Sequence, residues 1–344
     1  MDRDTIDQSS ISDLFHTASG QNFFYSFLID VPQLYKKFPI DFIANTGSND
    51  RFSDPNYSTR FYRLSFLPER YRVKAWVLAR RIHIDLLWFL QFRSYWVNVL
   101  GGRPLWGVED FYFLRNIYRT RFQDNQVPDT EDANIHLQAW QQPELLYQLF
   151  HLVYKEKFAC EVWKLRLTRK LLGRWPDSII EYGCGTAPIT TSLFEFFKPD
   201  LVQQVYVSDI QTLAFHYAAY KFRERSNVLP VLLVPENNFQ LELEDETVEV
   251  IYCVTVFEHL NSPVETIRAF YNTLKKGGLL FFDYIKEEEG HAHGLDTQQA
   301  LLERESVLDF IEQNFDIVHG EINRNASVSL TVGKKKAALP ASYK

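Results

Sequence analysis

From residue 178 onward, short runs rich in Val, Ile and Phe alternate with segments whose apolar positions recur every three or four residues. Such runs predict buried strands and such segments predict helices, which together make βα units around a parallel sheet. The expected strands cover 178–182 (SIIEY), 204–208 (QVYVS), 228–234, 248–254 (VEVIYCV) and 279–284 (LLFFDY). Helices are expected over 188–197, from about 210 to 225, over 263–275 and over 296–313. Lys276-Gly277-Gly278 follows the third of these, where glycine can take the left-handed geometry of a C-cap. The segments 315–322 and 327–332, joined by Asn323-Arg324-Asn325, read as a β-hairpin, which inserts an antiparallel strand. A frayed tail is expected from Gly333.

Before residue 173 the periodicity is mainly helical, at about 22–38, 68–99, 108–121 and 143–172, with polar, turn-rich stretches at 44–58 and 122–134. Pro143-Glu144 suits a first helical turn, and the last helix should end near Gly173. The division expected is therefore a mainly helical domain over 1–172 and an α/β domain over 173–344. A length of 344 residues agrees with two domains.

Composition changes the picture in three places. Aromatics make up 15% of the chain, with 28 Phe, 18 Tyr and 7 Trp, enough for a large core and for stacking on flat ligands. Cys160, Cys184 and Cys253 are widely spaced, which gives no disulfide framework and no zinc ligand set. The N-terminus lacks the character of a targeting peptide, and Arg80, Arg81, Asp85 and Arg93 interrupt the longest apolar stretch, 76–100. No membrane span and a cytoplasmic location are the resulting expectations. The net charge of −7 is uneven. Residues 1–170 hold 22 Lys/Arg against 19 Asp/Glu, and residues 171–344 hold 15 against 25. Residues 60–121 alone hold 12 basic and 4 acidic side chains, either a surface that attracts anions or arginines snorkelling from amphipathic helices.

The segment that carries chemistry is Ile179-Ile180-Glu181-Tyr182-Gly183-Cys184-Gly185-Thr186-Ala187-Pro188. A strand ends beside an acid, and a glycine-rich turn leads into a helix. Glycine lets the backbone approach a ligand closely. A dinucleotide fingerprint would place its third glycine at position 188, which is Pro, and no GK[ST] follows for a phosphate loop.

Glu181-Tyr182-Gly183-Cys184-Gly185-Thr186-Ala187 resembles motif I of the class I S-adenosylmethionine-dependent methyltransferases, with Ala187 in place of the last glycine. Further landmarks of that family follow in order. Asp209 ends the second strand, next to Ile210, where the family's acid binds the ribose hydroxyls. Glu236-Asn237 follows the third strand, at the position of the adenine-edge contact. Val254 to Leu260 (VTVFEHL), which includes Phe257 and Glu258, resembles the segment after the fourth strand. Leu274-Lys275-Lys276-Gly277-Gly278 resembles the turn before the fifth. The resemblance covers about residues 160–333. It implies a Rossmann-like seven-stranded, mostly parallel sheet with an antiparallel C-terminal hairpin strand, and S-adenosylmethionine as cofactor. Under it Glu181, Tyr182, Gly183, Cys184, Gly185, Asp209, Ile210, Glu236, Asn237, Val254, Phe257 and Glu258 are the expected cofactor contacts. Physically, Glu181 could meet the ligand's ammonium, Asp209 its ribose, and the turn's amides its carboxylate. Asp209 could equally be a helix N-cap.

Methyl transfer needs a base only if the acceptor must lose a proton. The candidates are His259, His291 and His293, with Glu258 as a further carboxylate. His291 and His293 lie in the stretch 287–294 (EEEGHAHG), which reads as a solvated loop, as an acceptor contact or as a pair sharing a metal; no metal site is expected. The resemblance implies that the helical region supplies acceptor contacts. Its Arg-interleaved aromatics over 60–122 suit a flat or carboxylated small molecule, although core packing accounts for most of them. Overall acidity and the lack of an RNA-binding module speak against a nucleic-acid acceptor. The expected activity is methylation of an O or N of a small metabolite. A non-catalytic S-adenosylmethionine-binding regulator is the alternative.

Overall fold

The computed structural model describes residues 87–102, 149, 153, 161–197, 201–234, 237–286 and 296–336. The helices expected over 22–38 and 108–121 lie outside these residues, as do most of those over 68–99 and 143–172. Within a first compact unit, helix α1 (Leu87–Asn98) carries Phe92, Tyr95 and Trp96 at i, i+3 and i+4, all with 1% exposure or less. These three aromatics are core residues of that unit.

In the second unit the first described helix is α2 (Val162–Leu172), which stops at Gly173 in the left-handed conformation (φ 74°). Then follow β1 (Ser178–Tyr182), α3 (Pro188–Phe196), β2 (Gln204–Asp209), α4 (Leu213–Phe222), β3 (Val228–Leu232) and β4 (Val248–Cys253). A short 3-10 turn (Phe257–His259) precedes α5 (Pro263–Thr273), β5 (Leu274–Tyr284), α6 (Gln298–Asn314), β6 (Phe315–His319) and β7 (Val328–Lys335). Pro188 and Pro263 occupy first-turn positions, where a missing N–H costs no bond.

The sheet order is β3-β2-β1-β4-β5-β7-β6. β1 to β5 run parallel, and β7 is antiparallel to both β5 and β6. β1 and β4 are buried at every position, as expected of central parallel strands covered on both faces. The chain moves outward from β1 to β3 and then from β4 in the opposite direction. Right-handed crossovers therefore place α3 and α5 on opposite faces, and the strand order reverses between β1 and β4. Ligands of open α/β sheets sit at such a reversal, outside the carboxyl ends of the strands.

Three local expectations give way. α4 begins at Leu213 rather than near 210, because the Thr212 side chain accepts from the Phe215 amide and caps the helix. α5 ends at Thr273 with Leu274 already extended, so Lys276-Gly277-Gly278 is no helix cap. Gly277 (φ 74°) instead lies in the irregular start of β5, where the register with β4 shifts between Val248 and Val250. Nor does the chain fray at Gly333, which pairs with both Leu280 and Ile317. The Asn323 carboxamide, accepting from the Asn325 and Ala326 amides, forms the hairpin's turn as expected. Among the described residues no helix is long and apolar enough to cross a membrane.

Glu249 ties the start of β4 to the chain entering β1. It accepts from both guanidinium nitrogens of Arg174 (3.0 and 2.5 Å) and from the Asp177 amide (2.6 Å). Burial alone would raise this carboxyl, but the Arg174 hydrogen bond, the Asp177 amide and the Arg174 charge hold it below its ordinary 4.5. A depressed carboxyl stabilises the fold above its unfolded value, and that contribution is lost as pH falls through the folded value. Glu249→Gln should therefore lower the melting temperature at pH 7, with the deficit shrinking below about pH 4.5 in a thermal-melt series.

Candidate functional site

The turn after β1 holds three left-handed residues within five positions: Gly183 (φ 61°), Gly185 (φ 52°) and Ala187 (φ 55°). A Cβ on Gly183 would lie 2.4 Å from Val256 Cγ2, so close packing against the turn after β4 requires glycine there. A Cβ on Gly185 would meet nothing within 4 Å among the described residues. Among the described residues the backbone therefore presents a bare face at the β1/β4 reversal.

Neighbouring elements brace this turn. The Cys184 amide donates to the Ser208 carbonyl (3.0 Å), and the Gly185 amide donates to Asp209 Oδ2 (2.6 Å). Asp209 Oδ1 accepts from the Ile210 amide (2.7 Å). With Thr212 as the cap of α4, Asp209 is not that helix's N-cap. Removal from water raises the Asp209 carboxyl to about 6, against the two amides that hold it down. Lys221 Nζ donates to the Thr186 carbonyl (2.7 Å) and to Thr191 Oγ1.

Glu181 faces the start of α3. Its Oε1 accepts from the Ile189 amide (2.9 Å), and its Oε2 accepts from the Thr190 amide (2.8 Å) and hydroxyl (2.6 Å). A carboxylate against a helix N-terminus is a favourable charge–dipole pairing. The Thr191 amide bonds the Ala187 carbonyl, and the Ala187 amide bonds that of Cys184. The amides of Cys184, Gly185 and Ala187 thus have partners within the chain, and Glu181 braces the turn from the helix side.

Beside this turn, the end of β4 leads into a strained segment. Thr255 is left-handed (φ 60°), uncommon for a β-branched residue, and its amide donates to Asp283 Oδ1 (2.6 Å) near the end of β5. Phe257 is fully buried, stacked on Tyr284 at 5.4 Å and edge-on to Phe270 and Phe282. Glu258 is 2% exposed. His259 Nδ1 lies 3.4 Å from Asp296 Oδ1, and its Nε2 lies 3.9 Å from Glu258 Oε1. The Thr297 amide, donating to the Glu258 carbonyl (3.0 Å), fastens the start of α6 to this turn.

The structure brings Gly183, Cys184, Gly185, Asp209 and Ile210 together. Val254, Phe257, Glu258 and His259 follow on the adjoining strand end. Tyr182 points elsewhere, with its ring edge-on to Phe270 at 4.8 Å and its hydroxyl on the Phe239 carbonyl, so only its backbone borders the turn. Cys184 and Cys253 are buried free thiols, raised by burial and suited to packing. Asn237 donates to Gln240 O and Glu242 Oε1, while its own buried Oδ1 has no partner among the described residues. Glu236, His291 and His293 lie outside the described residues. Asp283, Asp296 and Lys221 went unread. For Asp283 a signal existed, an acid within the apolar run LLFFDY that parallels Glu181 in SIIEY.

This architecture can be set beside known proteins. Residues 180–282 match the family described as a methyltransferase domain. Residues 180–282 thus carry a methyltransferase domain. No curated protein matches the sequence. Among solved structures, the [4+2]-cyclase SpnF is 22% identical, over 45% of this chain and 58% of that one, with a TM-score of 0.34. The chain thus spans 58% of that protein's length. The N-methyltransferase NodS from Bradyrhizobium japonicum WM9, in complex with S-adenosyl-L-homocysteine, is 16% identical over 50% and 83% of the two chains (TM-score 0.35). A SAM-dependent methyltransferase from Aquifex aeolicus is 19% identical over 53% and 97% (TM-score 0.36).

Proposed function

We propose that the chain transfers the methyl group of S-adenosylmethionine to an oxygen or nitrogen of a small-molecule acceptor. The observation that supports this most is Gly185, open on its Cα side while its amide is fastened to the Asp209 carboxylate at the strand reversal. The cofactor supplies an activated methyl on a sulfonium, and the protein's task is alignment and exclusion of water.

In this reading the remaining lone pairs of Asp209 accept the ribose hydroxyls, with Ile210 beside them. The bare face of the Gly183–Gly185 turn lets the ligand lie against backbone. Asn237 Oδ1, buried and without a partner among the described residues, suits the adenine amine as an acceptor. Val254 and Phe257 contribute apolar wall and rigidity. Glu181 and Lys221 act through the turn they brace. His259, held by Asp296, is placed to take a proton from the acceptor. The segments before residue 161 are assigned to acceptor capture.

Titration calorimetry with S-adenosylmethionine, followed by incubation of the full chain with methyl-labelled cofactor and a metabolite extract, tests the proposal. Saturable one-to-one binding and label recovered in small molecules are expected. Label lost on nuclease treatment would replace the small-molecule acceptor with a nucleic acid, and binding without turnover would leave a cofactor-binding regulator.

A further inference from the structure

Past the carboxyl ends of β4 and β5, Glu258 in the 3-10 turn lies within electrostatic reach of two carboxylates from other elements, Asp283 near the end of β5 and Asp296 before the cap of α6. The Glu258 side chain is 3% exposed, and neither of its oxygens has a hydrogen bond of normal geometry among the described residues. Burial raises its carboxyl to about 8; its own amide and that of Ile285 work against this, and Asp283 and Asp296 add to it. Asp283 is likewise raised by burial, with the Thr255 amide and Lys164 opposing.

A buried carboxyl without a partner is costly, and like charges crowded beside it raise the cost. A bound cation reverses both effects. Among the described residues the charged groups facing the cluster are His259, between Glu258 and Asp296, and Lys164, which is already ion-paired with Glu161. No group of three or more His, Cys, Asp or Glu among the described residues could hold a metal ion. An ammonium, with three donors and one positive charge, fits what the cluster lacks. The cluster adjoins the cofactor turn through Val256, whose methyls fill the space beside Gly183.

We infer that the acceptor presents a protonated amine, received by Glu258 and Asp283, so that the methylated atom is nitrogen. This rests on the methyltransferase reading above. The ammonium loses one proton to His259, which passes it to solvent. The freed nitrogen pair then forms the N–C bond as the methyl's bond to sulfur breaks, the sulfur keeping that pair.

The test compares two ligands for the full chain by calorimetry. S-adenosylhomocysteine carries no cation at the sulfur. In sinefungin a carbon bearing a protonated amine replaces the sulfur and its methyl. Sinefungin should bind about tenfold more tightly, the size expected of one charge-assisted hydrogen bond. Glu258→Gln, nearly the same shape as the buried side chain, should remove most of that ratio and leave S-adenosylhomocysteine within about twofold. Asp283→Asn provides a second variant, with melting curves to confirm folding. A ratio unchanged in both variants overturns the inference. So does a loss of S-adenosylhomocysteine affinity at constant ratio, which would mean that the cluster holds the cofactor's own amino group. If neither ligand binds the unaltered chain, the methyltransferase reading itself fails.

Discussion

Asp209→Ala is expected to lower the affinity for S-adenosylmethionine by about a hundredfold, the equivalent of one or two charge-assisted hydrogen bonds. Two losses combine. The ribose hydroxyls lose their acceptor, and the Gly185 amide, which Asp209 holds at 2.6 Å, loses the group that fixes the turn. Asp209→Asn separates them, since its carboxamide oxygen can still accept from one amide but carries no charge. An intermediate loss is expected. Acidity gives an independent handle, because Asp209 is raised from an ordinary 3.8 to about 6. In the free protein, a raised carboxyl lends stability that is present below the unfolded value and lost as pH climbs through about 6. Binding has the opposite trend, since the ionised form is the stronger acceptor. The melting-temperature gain from saturating cofactor should grow between pH 5 and 7, and Asp209→Asn should flatten it. Equal binding by wild type and Asp209→Ala would remove Asp209 from the site.

Gly185→Ala and Gly183→Ala should differ sharply although only one residue separates them. Both positions are left-handed, which costs an alanine about 1–2 kcal/mol. At Gly185 that is nearly the whole folding cost, because the added methyl meets nothing among the described residues. The methyl instead occupies the face where the ligand lies, so the expected result is a mildly lowered melting temperature with cofactor binding lost. At Gly183 the methyl also collides with Val256, which adds roughly 1–3 kcal/mol of overpacking. The fold itself should suffer. Val256→Ala in the Gly183→Ala background should restore part of the stability, and denaturant melts of the single and double variants measure that coupling. Restoration in the Gly185→Ala background would contradict this division of roles.

Strand and helix alternation was legible because the strands are buried on both faces and read as unbroken apolar runs, as in SIIEY and VEVIYC. Helix ends were less so. Thr212 rather than Asp209 caps α4, because the cap is chosen by which side chain reaches the Phe215 amide, and both residues are good capping types. At the site, the glycine turn and Asp209 could be placed from local pattern, since a turn's conformational demands are written in adjacent residues. The convergence of Glu258, Asp283 and Asp296 could not. They are distant in sequence, and only β4–β5 pairing and the seating of α6 bring them together. Glu181 shows a related point: an acid beside a glycine turn suggests a ligand, and its oxygens also meet the amides of its own helix, which a local pattern does not reveal.

The strand order has a consequence for biosynthesis. Among the described strands β7 is made last, yet it lies inside the sheet, with β5 on one side and β6 on the other. A nascent chain that has emerged only as far as β6 has no neighbour for that strand and leaves β5 as a raw edge, the kind of surface on which strands from other chains pair. The Lys335 ammonium, seated on the Leu274 carbonyl, fixes the far end of this closing strand. A stop codon shortly before residue 328 would therefore remove the insert that joins two parts of the sheet, and its product should be recovered as aggregate.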